Sequence, residues 1–124
     1  MTNIARRFII IAVIYAIIGM AHGIEMGISG DHSEFTMHAH INLVGWASLA
    51  LYGLTYRAFP AMAVGWLAVA HFWLANLGAL LMAIGLYLLF TNQIEVVLIV
   101  GSLLTFFAAV VFLVNFVTRS EKPA

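Results

Sequence analysis

The side chains best suited to chemistry in this sequence are histidines that lie in apolar stretches. His22, His38, His40 and His71 stand in such stretches, whereas His32 lies in a polar connector. Neutral imidazole is a nitrogen ligand for heme iron, copper and zinc. The sequence contains no cysteine, which excludes disulfides, thiolate metal sites and iron–sulfur clusters. The histidines are therefore the first candidates for a cofactor site.

His38 and His40 are separated by a single residue, Ala39. At 3.6 residues per turn this spacing rotates them by about 200° around a helix, so they point to nearly opposite faces. A continuous helix does not easily offer both histidines to one metal ion, but it can offer them to two sites on its two sides. A ring of chains, in which this helix touches a neighbour on each side, would use both. The spacing therefore indicates metal ligation at the interfaces of a homo-oligomer.

Three further polar residues near this pair are candidate cofactor-binding residues. His22 is expected roughly 9 Å below the end of its helix, in the same layer as His38 and His40. Glu25 follows His22 by three residues and shares its helix face. Glu25 could orient an imidazole, bond a propionic acid group, carry a proton, or be solvated at the surface. Asn42 is a second hydrogen-bonding group beside the proposed ligands.

Other polar and small residues of the apolar stretches fit structural roles. His71 is expected about 20 Å from the other three histidines along the helix axis, where it would hydrogen-bond across helices. Gly19, Gly23 and Gly27 form two overlapping G-x-x-x-G steps. Small residues at this spacing allow helices to approach closely, so packing is the preferred interpretation.

The elements that position these residues follow from the composition. The 124 residues are 65% hydrophobic and only 8% charged, with a formal net charge of zero. Soluble domains are about half apolar and about a quarter charged, and disordered chains are more polar still. The zero net charge also leaves no basic surface for nucleic acid. The composition predicts an integral membrane protein surrounded by lipid.

We predict an all-α fold in which four apolar segments cross the membrane, within a single domain 1–124. A span needs roughly 20 mostly apolar residues. The segments are continuous apolar runs, which favours helices over the alternating strands of a barrel. Short connectors imply antiparallel neighbours, in a four-helix bundle or arc. The predicted spans are about 8–28, 36–54, 62–90 and 94–117.

The basic residues predict the orientation. Arg6, Arg7, Arg57, Arg119 and Lys122 all lie in the tails or in the second connector. The positive-inside rule then places both termini in the cytoplasm, which suits a multi-pass protein of a bacterial inner membrane. The alternative, a cleaved signal peptide that begins at the two arginines, is disfavoured because the apolar run is too long and no secreted domain follows.

The segment His38–Trp46, HAHINLVGW, resembles the heme-binding helices of the catalytic subunit of the heme-copper oxidase superfamily, including its nitric oxide reductase branch. The likeness covers about residues 30–60. It implies that this chain corresponds to one four-helix arc of a ring, which three copies would rebuild as a homotrimer. It also implies that each interface binds b-type heme through His38 of one chain and His40 of the next.

The chain departs from that family in ways that shape the expected function. It has no adjacent histidine pair for the family's copper site and no counterpart of its cross-linked tyrosine. We therefore identify no catalytic residue, and we expect electron transfer with a redox partner, or a heme-based redox or gas function.

Three alternatives remain open at this point. The same histidines could bind copper, because imidazole suits copper as well as iron. The chain could instead be a structural or assembly subunit that packs without a cofactor. A proton or solute path along Glu25 and the histidines is the third alternative.

Overall fold

The computed structural model describes residues 3–123, and the chain in that range is helical without any strand. The predicted all-α class is confirmed. Residues 1, 2 and 124 of the predicted domain lie outside the described range. The elements are α1 (Asn3–Ser29), α2 (Phe35–His40), a π-helix (Ile41–Ser48), α3 (Leu49–Ala58), a 3₁₀-helix (Pro60–Ala63), α4 (Trp66–Asn92) and α5 (Val96–Arg119).

Three of these helices, α1, α4 and α5, are long and apolar enough to cross a membrane. Large apolar side chains cover their outer faces. Ile17, Trp73 and Phe106 are each more than half exposed. A contiguous apolar surface of this kind is unfavourable in water and favourable against hydrocarbon. The structure is therefore consistent with a membrane protein.

The helical segment between α1 and α4 has an unusual middle. It runs from Phe35 to Ala58 as α2, the π-helix and α3, and the residues at both junctions keep right-handed helical conformation. π-helical turns are rare, occur mostly within α-helices, and are frequent at functional sites. This one begins directly after His40. The sequence analysis did not predict it.

Two helices begin at residues that differ from the predicted segments. α1 begins at Asn3 rather than near Phe8, so Arg6 and Arg7 lie within the helix. α4 begins at Trp66 rather than near Met62, because the preceding residues form the 3₁₀-helix and a bend. Gly65 makes that bend with a φ of 91°, a left-handed backbone that glycine adopts without strain.

The helices pack as two antiparallel pairs. α1 lies along the segment 35–58, and α4 lies along α5. The pairs meet where α4 contacts α2 and the π-helix, and where Phe8 of α1 packs against His71 and Phe72 of α4. The most bulky buried side chains, among them Phe8 and Tyr56, fill one half of this core.

The packing places the basic residues, together with Glu121, at one end of the bundle and the other acidic residues toward the opposite end. We call the end that holds Arg57, Arg119 and the start of α1 the basic end. We call the end that holds the connections 30–34 and 93–95, with Asp31 and Glu34, the acidic end.

The contact between α4 and α5 depends on glycines on both helices. A Cβ on Gly85 would lie 2.4 Å from the backbone nitrogen of Leu98, and a Cβ on Gly101 would lie 2.5 Å from that of Met82. Backbone atoms on the facing helix cannot rotate away as a side chain can. The two helices can approach this closely only without those methyl groups.

We predict that Gly85→Ala or Gly101→Ala lowers the free energy of unfolding by about 1–3 kcal/mol, because the added methyl group forces the helices apart. Gly27→Ala is the matched control, since a Cβ there meets nothing within 4 Å. Unfolding by sodium dodecyl sulfate in mixed micelles, followed by circular dichroism, measures the difference. Equal stability of all three variants would contradict the close α4–α5 contact.

Candidate functional site

Three of the predicted site histidines lie together at the acidic end. We call His22, His38 and His40 the histidine layer. The rings of His22 on α1 and His38 on α2 are neighbours, with centroids 5.7 Å apart and planes inclined by 48°. The antiparallel packing of α1 on the segment 35–58 brings these two imidazoles together, although 16 positions of sequence separate them.

The carboxylate that contacts His22 belongs to Glu34, in the connection before α2. His22 Nε2 lies 3.0 Å from Glu34 Oε2, and both side chains are largely shielded from solvent, with 13% and 31% exposed. A neutral imidazole that donates from Nε2 carries its lone pair on Nδ1. That Nδ1 atom is buried and has no hydrogen-bond partner among residues 3–123.

His38 is enclosed between α2 and a glycine of α1. Its Cε1 atom would lie 3.0 Å from a Cβ on Gly23, so the missing side chain makes room for the imidazole. His38 Nδ1 is also buried and unpartnered within the described range. Two unpartnered ring nitrogens therefore stand on adjacent imidazoles, an arrangement that costs free energy unless a metal ion or a further hydrogen-bonding group satisfies them.

Asn42 stabilises the junction between α2 and the π-helix. Its Nδ2 donates to the carbonyl oxygen of His38 at 2.8 Å. Its side chain fits against Gly19, where a Cβ would lie 2.6 Å from Asn42 Oδ1. Gly19 and Gly23 of the G-x-x-x-G pattern thus make room for polar side chains of the facing helix, whereas Gly27 faces open space.

His40 differs from the other two histidines because its tautomer is set by its own helix. Nδ1–H donates to the carbonyl oxygen of Thr36 at 2.8 Å. A carbonyl only accepts, so the neutral ring carries its lone pair on Nε2. No group in residues 3–123 bonds to that nitrogen, and the side chain is half-buried. Metal-binding histidines very often have this arrangement, with the second ring nitrogen bonded to a backbone carbonyl.

Glu25 does not contact His22. It is exposed, and it forms no ion pair or hydrogen bond within the described range. In residues 3–123, no three histidine, aspartate or glutamate side chains lie where they could bind one metal ion together. A cofactor at the histidine layer would thus take its ligands in pairs, or from more than one chain.

The connection 30–34 beside this layer is polar and solvated. Asp31 accepts a hydrogen bond from the backbone N–H of Ser33 at 3.0 Å, and bonds from Ser33 lower the pKa of the Asp31 carboxyl below its usual range. His32 Nδ1–H donates to the carbonyl oxygen of Gly30 at 3.1 Å, and its side chain is exposed. These contacts order the connection 30–34, which places the Glu34 carboxylate beside His22.

His71 belongs to a separate polar cluster in the other half of the bundle. Its Nδ1 lies 2.9 Å from the hydroxyl of Tyr56 on α3. Asn115 on α5 donates from Nδ2 to that hydroxyl oxygen at 3.2 Å and to the Met62 carbonyl oxygen at 2.9 Å. Because the Tyr56 oxygen accepts this hydrogen bond from Asn115, the Tyr56 hydroxyl donates its own hydrogen bond to His71 Nδ1. The expected interhelical role of His71 is thus seen, with Tyr56 as its partner.

Several aromatic rings pack against His71. The ring centroids of Phe8, Tyr52 and Phe112 lie 5.3, 4.4 and 5.1 Å from that of His71. His71 Nε2 is buried and has no conventional partner in the described range. An N–H group directed at aromatic rings gains a weak attraction, which fits this enclosure. The cluster connects α3, α4, α5 and the 3₁₀-helix, and we assign it a structural role.

Sequence reasoning missed Glu34 and Tyr56 as the partners of His22 and His71. Both partners are distant in sequence, at 12 and 15 positions. The usable signal was the predicted antiparallel packing, which places the start of the second segment beside the end of the first.

We predict that Tyr56→Phe lowers the free energy of unfolding by about 1–3 kcal/mol, because it leaves His71 Nδ1 buried without a donor. Tyr52→Phe is the matched control: its ring packs on the same histidine, but its hydroxyl has no hydrogen bond among residues 3–123. Unfolding in mixed micelles measures both. A loss of stability in Tyr52→Phe equal to that in Tyr56→Phe would contradict the assigned bond.

Comparisons with protein-family models, with curated proteins and with solved structures find no match for this chain. The resemblance of the segment 38–46 to heme-copper oxidases receives no support from them and stays a prediction.

Proposed function

We propose that this chain is a four-span protein of a bacterial inner membrane with both termini in the cytoplasm. Three long apolar helices support the membrane setting, and the uninterrupted helix from Phe35 to Ala58 would be the remaining span. All five basic residues lie at the basic end or in the tails that adjoin it, which supports a cytoplasmic location of that end.

We further propose that the protein binds b-type heme through His38 and His40. The observation that carries this proposal is the bond from His40 Nδ1–H to the Thr36 carbonyl. That bond holds the ring in one orientation and leaves Nε2 as a lone-pair donor that nothing in residues 3–123 uses. An axial heme ligand needs this tautomer and this rigidity.

The spacing of His38 and His40 supports ligation at interfaces between copies. The two residues are two positions apart on α2, which puts them on nearly opposite faces of that helix, and no group among residues 3–123 forms a hydrogen bond with His40 Nε2. Heme ligation by both residues would then involve a second chain. In the proposed homotrimer each interface takes His38 from one copy and His40 from the next, which is a head-to-tail contact that closes into a ring.

A heme held by His38 and His40 would supply one-electron transfer. The residues of the chain hold the site around it. Asn42 bonds the His38 carbonyl, Thr36 orients His40, and Gly19 and Gly23 let α1 approach. We therefore propose electron transfer, with a membrane or periplasmic redox partner at the acidic end.

We predict that His40→Ala and His38→Ala each remove nearly all heme absorbance from the purified protein, since each substitution deletes an axial ligand. His32→Ala is the control, because that exposed histidine lies in the adjacent connection. Reduced-minus-oxidised spectra, with heme content per chain, measure the effect. Full heme content in both ligand variants would overturn the assignment.

Copper is a second candidate, and a specific observation favours it. His22 and His38 present two unpartnered Nδ1 atoms on rings whose centroids are 5.7 Å apart, and Glu34 bonds the far side of His22. Metal–nitrogen bonds are about 2 Å long, so two imidazoles at this separation can share one ion. A carboxylate behind a ligating histidine is a common second partner in metal sites.

We predict opposite outcomes for the two metals in a pair of variants. If the site binds copper, His22→Ala lowers copper per chain to near zero, because it removes one of two ligands, while His40→Ala leaves copper unchanged. If it binds heme, His40→Ala removes heme and His22→Ala retains it. Metal analysis of both variants measures iron and copper per chain. Absence of both metals from the wild-type protein would contradict both proposals and favour the structural-subunit alternative.

A further inference from the structure

A cavity of about 270 Å³ opens at the basic end, far from the histidine layer. It lies between the connection that follows α3 and the chain that leaves α5. Its lining combines three apolar residues with two cations: Ala61, Val64, Pro123, Arg119 and Lys122.

The guanidinium of Arg119 is held in place at this cavity. Arg119 Nη1 donates to the carbonyl oxygen of Val64. Gly65 lies directly beneath it, and a Cβ there would lie 2.8 Å from Nη1. The bend at Gly65 is thus shaped around the guanidinium, which fixes a long side chain that would otherwise move freely.

Most of the hydrogen-bonding capacity of the two cations is unused. A guanidinium has five N–H donors, of which the Val64 carbonyl takes one. The backbone N–H of Lys122 donates to the Arg119 carbonyl oxygen at 3.2 Å, and this turn places Lys122 in the lining of the cavity. Neither cation forms an ion pair with a carboxylate among residues 3–123, and Glu121 between them is exposed.

The cavity also lies at the level where a long apolar helix ends. Arg119 is the last residue of α5, and Trp66, 71% exposed, begins α4 beside the same connection. Tryptophan and basic residues mark the interface between hydrocarbon and headgroups. At that level the available anion is a lipid phosphate, and the walls formed by Ala61, Val64 and Pro123 suit the apolar glycerol and acyl region.

We infer that this cavity binds the phosphate group of an anionic phospholipid, with the fork of Arg119 and the ammonium of Lys122 as donors. Arginine binds phosphate through two parallel N–H groups, whereas lysine contributes a point charge. The two positive charges, which have no carboxylate partner among residues 3–123, favour a headgroup with net negative charge over a zwitterionic one. This inference depends on neither heme nor copper.

Calorimetric titration of the delipidated full chain in an uncharged detergent tests the inference. The probes are short-chain phosphatidylglycerol, short-chain phosphatidylcholine and inorganic phosphate. Lys122→Gln and Arg119→Lys are the test variants, since the first leaves the Val64 bond intact and the second keeps the charge but loses the fork. Arg57→Gln is the control, because Arg57 is an exposed cation of the same end that does not line the cavity.

We expect phosphatidylglycerol to bind more tightly than phosphatidylcholine, and each test variant to weaken it roughly tenfold, while Arg57→Gln leaves it unchanged. Equal binding of the two lipids, or an equal loss in Arg57→Gln, would overturn the site. Inorganic phosphate that binds as tightly as phosphatidylglycerol would also overturn it, since the anion would then be soluble phosphate rather than lipid. Circular dichroism of every variant separates lost binding from lost fold.

Discussion

In a bundle whose interior and outer surface are both apolar, a polar side chain costs free energy unless the protein itself supplies its partner. This constraint explains most of the side-chain hydrogen bonds within the helices, away from the connections that join them. Tyr56, His71 and Asn115 form hydrogen bonds with one another across three helices. Asn42 and Asn76 donate to carbonyl oxygens of their own helices. Within residues 3–123, five buried polar atoms stay without a hydrogen-bond partner, and two of them, Nδ1 of His22 and Nδ1 of His38, stand on adjacent rings.

The two polar clusters differ in their surroundings. At the core near Tyr56, the rings of Phe8, Tyr52 and Phe112 pack against His71, and its Nδ1 bonds the Tyr56 hydroxyl. In the histidine layer, the unpartnered nitrogens of His22 and His38 belong to adjacent rings, and His40 offers Nε2 away from its own helix bond. The first cluster therefore stabilises the fold, while the second is where we place a cofactor.

The all-α class and three long apolar helices followed from hydropathy because long apolar runs leave few alternatives, whereas the starts of α1 and α4 differ from the predicted segments. The depth of His22 relative to His38 followed from antiparallel packing. The π-helix after His40 did not, because hydropathy does not distinguish a π-helix from an α-helix; within it Gly45 packs on the ring of Tyr15, where a Cβ would lie 2.5 Å from Tyr15 Cδ1. Glu34 was missed for a similar reason: only the ordered connection 30–34 directs it to His22 rather than to water.

The central claim is that the histidine layer is completed by a second copy of the chain and a heme. Native mass spectrometry of the complex purified from heme-replete membranes tests this most directly, because one spectrum gives both the number of chains and the number of hemes. The account predicts a homo-oligomer, with three chains expected, that retains heme at its interfaces. A single chain without heme would contradict it. So would an oligomer whose mass equals the summed mass of its polypeptide chains alone.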